Sequence, residues 1–224
     1  MVKRSGLEPI QDEVDWIRVT AAEAVRVAAE DFFAEYDRGP DPSRLAAWFV
    51  PRCWREIDYV FMLNEEIRRY GLGFDRKHLT ALAKHSFQEA HHYEMVGRII
   101  ENLGGEVPVI VPESARPWSE LLWDCLDRHR LSAIAAWNIS ETAAGGSFDA
   151  TLAATQRHQD QMPEASRIYK QIVKDEKFHL GLGQLLLDRY AETDSDRDEV
   201  LRAMHEMVDL VAYTYKPENV IADG

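Results

Sequence analysis

The sequence has little cysteine, no long apolar run and no excess of basic charge, and each shortage narrows its reading. Of the 224 residues only Cys53 and Cys125 are cysteines. They stand far apart with no C-x-x-C pair, which argues against a disulfide scaffold, a thiolate zinc site or a rubredoxin-like iron module. Both are expected to be reduced core residues. The longest apolar stretch near the middle of the chain is Leu131 to Trp137, far short of the roughly 20 residues that a membrane helix needs. No apolar segment follows the basic residues within Met1 to Ile10, so no secretory signal is expected and a cytoplasmic location is the default. The net charge is −13, with Lys and Arg scattered among the acids. A polyphosphate backbone would be repelled, so nucleic acid is not expected as a partner, and without a spanning apolar run neither is a membrane.

What is present is the composition of an ordinary globular protein, 46% hydrophobic and 29% charged. The length suits one sizeable core, so a single domain over 1–224 is expected. Periodicity is helical nearly everywhere and no run alternates as a strand would, which makes the fold class all-α.

A first helix is expected from Asp12 to Tyr36, its apolar side formed by Trp16, Val19, Ala22, Val25 or Val27, and Phe32 or Phe33. It should end at the breaker Arg38-Gly39-Pro40-Asp41-Pro42. The second spans Ser43 to Tyr70, kinked or restarted at Pro51, with the stripe Phe49, Cys53, Glu56, Val60, Leu63, Ile67 and Tyr70. The third spans Lys77 to Leu103 and carries Leu82, His85, Glu89, His92, Val96 and Ile99 on one face. Glu106 to Pro117 contains three prolines and is expected to be extended. At about 3.3 Å per residue it reaches roughly 40 Å, the length of a long helix, and can carry the chain from one end of a bundle to the other. The helices on either side of it should then be parallel. A fourth helix is expected from Trp118 to His158 with an interruption at Gly145-Gly146, and a fifth from Pro163 to Ala191. Asp194 or Ser195 should cap a last helix that ends near Tyr215, before Pro217.

Two Glu-x-x-His motifs lie at mid-helix positions, Glu89 with His92 and Glu176 with His179. Each pair shares a helix face and sits in an apolar stripe, Ile172, Glu176, His179, Gly183 and Leu186 in the second case. A buried carboxylate and imidazole cost several kcal/mol unless something compensates, and a metal ion is one such partner. Each motif also has a lone core-face glutamate on the preceding helix. The midpoint of Glu56 and Glu89 falls near Leu72, between Gly71 and Gly73, and that of Glu141 and Glu176 near His158, so both pairs can face each other across a hairpin. Glu65 and Glu66 share a helix with Glu56, but Glu65 has Arg69 at i+4 as an ion-pair partner, which favours Glu56. Six candidate metal ligands result: Glu56, Glu89, His92, Glu141, Glu176 and His179. Their mixed O and N donors suit iron or manganese. A glutamate from each of two helices and a Glu-x-x-His from each of two others is the ligand pattern of di-iron helical bundles.

Through Glu56, Glu89-Ala90-His91-His92, Glu141 and Asp175-Glu176-Lys177-Phe178-His179, together with the crossover, the chain resembles the ferritin-like di-iron carboxylate superfamily over Ser43 to Ala191. The resemblance implies a four-helix bundle with a long crossover, plus an additional helix at each end, and a cofactor of two iron ions or an Mn/Fe pair. It also implies that Asp175 orients a ligating histidine of the opposite motif; Gln88 takes the equivalent place in the first motif. His85 is open as an extra ligand, an outer base or a hydrogen-bonded core histidine. His91 points away. Tyr59, Tyr93, Tyr169 and Trp137 stand within about a turn of ligands, as pocket lining, redox-active groups or packing.

The small residues Ala144 and Gly145, one turn after Glu141, leave room for a cavity. Size and the two complete motifs are similar to small single-domain di-iron oxygenases and oxidases, which implies an enzyme using O2 as co-substrate on a small-molecule substrate, with an electron-donor protein and a homodimer as expected partners. The alternative is a ferritin- or rubrerythrin-like iron-oxidising or peroxide-handling protein.

Overall fold

A computed structural model describes residues 5–216, and among these there are helices and short 3-10 turns but no strand. In chain order the α-helices are α1 (Gln11–Arg38), α2 (Pro42–Tyr70), α3 (Arg76–Asn102), α4 (Arg116–Arg128), α5 (Arg130–Gly146), α6 (Phe148–Arg157), α7 (Ala165–Tyr190) and α8 (Asp194–Thr214). Among the described residues no helix is long and apolar enough to cross a membrane.

Several expectations are corrected. The single fourth helix is three helices. The break at Gly145-Gly146 is where α5 ends, but a second break at His129 carries no Pro or Gly to announce it. His129 is extended, with φ −162° and ψ 144°, and its ring accepts from the Leu131 N–H, so it caps α5. The extended crossover is shorter than expected: Glu113–Ala115 is a 3-10 turn, and Pro117 lies in the first turn of α4, where a missing N–H costs nothing. Helix α2 runs through Pro51 without a restart. The fifth helix begins at Ala165 rather than Pro163. The last helix is capped by Thr193 in a capping box with Asp196, one residue before the expected cap. Pro217 lies outside the described residues.

The apolar face of α1 is also different. Trp16, Val19 and Val27 are exposed, while Val14, Ile17, Ala21, Val25, Ala28, Ala29, Phe32, Phe33 and Tyr36 are buried. Helix α1 packs against α5, α6 and α8 together, and the face it buries includes three alanines while Trp16, Val19 and Val27 lie outside it. On α2, Val60 is half-buried, and Tyr59 and Met62 take the core positions beyond Glu56.

The α2–α3 hairpin turns at Gly71–Gly73 and is antiparallel: Glu56 lies beside His92, and Asn64 bonds Ser86. Helices α2 and α5 are antiparallel as well, since Arg52 meets Ser147 while Tyr59 meets Ser140. It follows that α3 and α5 run parallel, as a crossover between them requires. Two glycines set close approaches. A Cβ at Gly146 would stand 2.1 Å from the Ala22 carbonyl oxygen on α1, and one at Gly183 2.4 Å from the Asn138 side chain on α5. The second contact seats α7 on α5 one turn from His179.

Inside, two apolar clusters are separated by a band of ionisable groups. One cluster takes Phe49, Cys53, Val96 and Ile172; the other takes Met62, Leu63, Leu82, Ala143, Leu182 and Leu186. Between them on the same helices lie Glu56, His85, Glu89, His92, Glu141, Glu176 and His179, all buried. Cys53 and Cys125 are buried free thiols.

Candidate metal centre

Helical spacing delivers the band. On α3, His85, Glu89 and His92 follow one face, and on α7 Glu176 and His179 do the same, so five side chains point between the apolar clusters from two helices. Helices α2 and α5 add Glu56 and Glu141. The donors meet at ion-pair distances: His179 Nδ1 lies 2.9 Å from Glu89 Oε1 and 3.2 Å from Glu176 Oε2. His92 Nδ1 lies 3.4 Å from Glu89 Oε2, 3.5 Å from Glu56 Oε2 and 3.8 Å from Glu176 Oε1. Three overlapping groups could each hold a metal ion, with donor atoms within 4.8 Å of one another: Glu56, Glu89 and His92; His92, Glu176 and His179; and His85, Glu89, Glu141 and His179. Glu89 and His92 each belong to two groups and His179 to two, so the donor set can serve adjacent ions.

All six residues expected from spacing are therefore brought together, and His85 joins them. It reaches Glu89 Oε1 at 2.8 Å through Nε2 and stacks on His179 with ring centroids 3.9 Å apart. Asp175 Oδ2 lies 3.5 Å from His92 Nε2, on the far side of the ring from the cluster. Tyr59 bonds Ser140, Trp137 stands edge-on to His85, and the buried Tyr169 hydroxyl has no hydrogen-bond partner. Tyr93 is turned away toward the Pro108 carbonyl, and His91 is exposed. Glu65 is tied to Arg68 and Arg69, whereas Glu66 is fully buried with neither oxygen hydrogen-bonded.

Arg52 is the residue that spacing did not single out. It is buried one turn before Glu56, with Nε 3.3 Å from Glu56 Oε1 and a terminal nitrogen 4.0 Å from Glu176 Oε1, and its guanidinium lies over Phe148 and Tyr169. Its position in the stripe Phe49, Arg52, Glu56 was the available signal: a cation on a core face needs a buried anion.

The fit to metal rests on charge and on unused donor atoms. Glu89 Oε2, Glu141 Oε1, both nitrogens of His92 and His179 Nε2 are buried without a hydrogen bond, a costly state for polar atoms unless another partner engages them. Burial pushes Glu56 up to about 7 and Glu141 well above the carboxylate range, the latter aided by Glu176 and Glu89. Burial acts the same way on Glu89 and Glu176, but the imidazoles outweigh it: His179 holds Glu89 well down, and His179 with Glu141 holds Glu176 at about 2. Burial would lower the imidazoles, yet Glu56 and Glu89 hold His92 well up and Glu89 and Glu176 hold His179 at about 9. His85, disfavoured by burial and by His179, falls to about 4. In the absence of metal, protons on His92, His179 and Glu141 thus balance the carboxylates, and a metal that binds must displace them. Four carboxylates and neutral imidazoles match two divalent cations in charge and in hard-donor character.

A cavity of about 600 Å³ opens beside the cluster, lined by Trp48, Arg52, Arg55, Trp118 and Ala144 among others. A separate, much smaller space of about 10 Å³, lined by Arg52, Arg55, Glu56, Tyr59, Ser140, Glu141, Ala144 and Glu176, shares Arg52, Arg55 and Ala144 with it and borders the carboxylates. Ala144 thus borders both, where small side chains after Glu141 were expected to leave room; Gly145 faces Phe148 instead. Comparison with protein-family models, with curated proteins and with solved structures gave no match.

Proposed function

We propose that the buried cluster holds a carboxylate-bridged di-metal centre, di-iron, within a ferritin-like four-helix arrangement of α2, α3, α5 and α7, and that the protein is an O2-activating oxidase or monooxygenase of a small organic substrate. Glu56, Glu89 and His92 would hold one ion and Glu141, Glu176 and His179 the other. When bound in the reduced state, iron supplies electrons to O2.

The chain's own residues do the rest. Asp175 fixes the orientation of His92 from behind. The two apolar clusters keep bulk water from the band, which strengthens every charge interaction inside it. Glu56 and Glu141 border the inner cavity, where the small side chain of Ala144 leaves space beside them.

The observation that carries the choice of an organic substrate is the cavity of about 600 Å³ whose wall at Arg52, Arg55 and Ala144 also lines the small space at Glu56 and Glu141. It is of the size that holds a small molecule, which iron storage does not call for. The test is O2 uptake after anaerobic loading with Fe(II), in the presence of a reductant or a donor protein. Loaded protein should consume O2 well above Fe(II) in buffer, as particles no larger than a dimer. Uptake no faster than free Fe(II) contradicts the reading, and a many-subunit shell on sizing would shift it to iron storage.

A further inference from the structure

The cavity beside the cluster carries an unusual charge. Arg52 and Arg55, one position short of a full turn apart on α2, both line its inner end. Arg52 is committed to Glu56 and Glu176. Arg55 is half-buried, stacks 4.6 Å over the Trp118 ring beside Tyr215, and makes no ion pair with a carboxylate among the described residues. The acids nearer the mouth are otherwise engaged: Glu35 pairs with Arg44, and Asp41 caps α2 through Ser43. A guanidinium withdrawn from water with no anion is a site in search of one, because its five donors match a carboxylate's two oxygens.

We infer that the cavity binds an organic monocarboxylate with an aromatic or alkyl body, its carboxylate held at the inner end by Arg55 and its body lying outward against Trp118, Trp48 and Phe32. The inference rests on the same site proposed above for substrate and names its class. One negative charge is the number that fits. A single uncommitted guanidinium faces the ligand, and Glu56, Glu141 and Glu176 lie just beyond it and would repel a second charge. A phosphate ester, with close to two charges, is therefore disfavoured. The walls are aromatic, which suits a ligand whose remaining surface is apolar. With the head inward, the carbons nearest the carboxylate lie nearest the cluster, and the far end of the body is the part free to vary.

The test is binding rather than turnover, so it is independent of whether the metals perform chemistry. Octanoate and phenylbutyrate would be titrated into the full-length metal-loaded protein by calorimetry, alongside octanol, phenylbutanol and octyl phosphate. The carboxylates should saturate one site and bind on the order of 10-fold or more tightly than the alcohols, the loss of one charge-assisted bidentate contact. Arg55→Gln should weaken carboxylate binding by about the same factor and leave alcohol binding and metal content unchanged. Equal binding of carboxylate and alcohol by the wild-type protein overturns the proposal without relying on any variant, and tighter binding of octyl phosphate overturns the choice of anion. Carboxylate binding by protein that takes up no metal on loading would leave this inference standing while the di-metal reading fails.

Discussion

The motif Glu89-His92 on α3 and the motif Glu176-His179 on α7 have the same spacing, yet their imidazoles end in different surroundings. His92 presents Nδ1 to Glu56, Glu89 and Glu176, and Asp175 stands 3.5 Å behind it at Nε2. His179 presents Nδ1 to Glu89 and Glu176, while its Nε2 has no hydrogen-bond partner and its ring lies on His85. Gln88, which holds before Glu89 the place that Asp175 holds before Glu176, leaves its side-chain oxygen unpaired. Glu56 of one half and Glu141 and Glu176 of the other border the inner cavity with Arg52, whereas His85 backs onto Trp137. Spacing within a helix fixes which groups share a face, but the neighbours beyond the face come from other helices. Identical motifs can therefore differ in basicity and access.

The residue common to both halves should show the largest effect. Glu89 faces His85 and His179 through Oε1 and His92 through Oε2. Glu89→Ala should remove metal from both halves, and in the metal-free protein it should lower stability by about 3–5 kcal/mol, the usual result of leaving buried charge uncompensated. Denaturant unfolding of chelator-treated protein reads this directly. A loss confined to one metal, with stability unchanged, would show that the halves do not share Glu89.

A carboxylate outside the cluster sharpens the contrast between paired and unpaired burial. Glu66 is fully buried on α2 with neither carboxyl oxygen hydrogen-bonded, and burial, opposed in part by the Trp137 indole, pushes it up to about 8. Because the folded value lies above the unfolded one, its contribution is fully present below about pH 4 and is lost as pH rises through about 8. Glu66→Gln should therefore gain a few kcal/mol relative to wild type between about pH 5 and pH 9. Thermal melts of both proteins across that range check it; a difference that does not change with pH would place the Glu66 carboxyl in contact with a cation or water.

The outer neighbours differ most simply in one pair of variants. Asp175→Asn should weaken metal binding in the half that contains His92 by about 10-fold, as loss of an orienting carboxylate commonly does. Gln88→Ala, which removes a side chain that bonds no ligand, should change metal affinity little. Equal effects in the two variants, read by competition with a chelator, would erase the asymmetry.

Much of the site was legible because helical spacing is a local rule. Glu56, Glu89, His92, Glu141, Glu176 and His179 interrupt apolar stripes, and the hairpin midpoints placed them opposite one another; in the folded chain they form one buried cluster. The space at Ala144 was legible for the same reason, whereas Asp175 was singled out only by the resemblance to the di-iron carboxylate superfamily. His85 was left open because its role is decided by Glu89 and by His179 across the bundle, and Arg52 was passed over because a lone arginine on a helix is usually solvated. The break at His129 rests on one backbone conformation without Pro or Gly, and the buried face of α1 was misread because alanines, not Trp16 or Val19, meet α5 and α8. Such features depend on which elements come together and leave little trace in local periodicity.

The central claim, that the band of ionisable groups is a di-metal site, is tested most directly by metal analysis of protein loaded with Fe(II) and desalted, wild type beside the double variant Glu176→Ala and His179→Ala. The account predicts about two metal ions per wild-type chain, from the two sets of donors, and loss of that stoichiometric binding in the variant. Metal content that is the same in both proteins, or absent from the wild type, would contradict it.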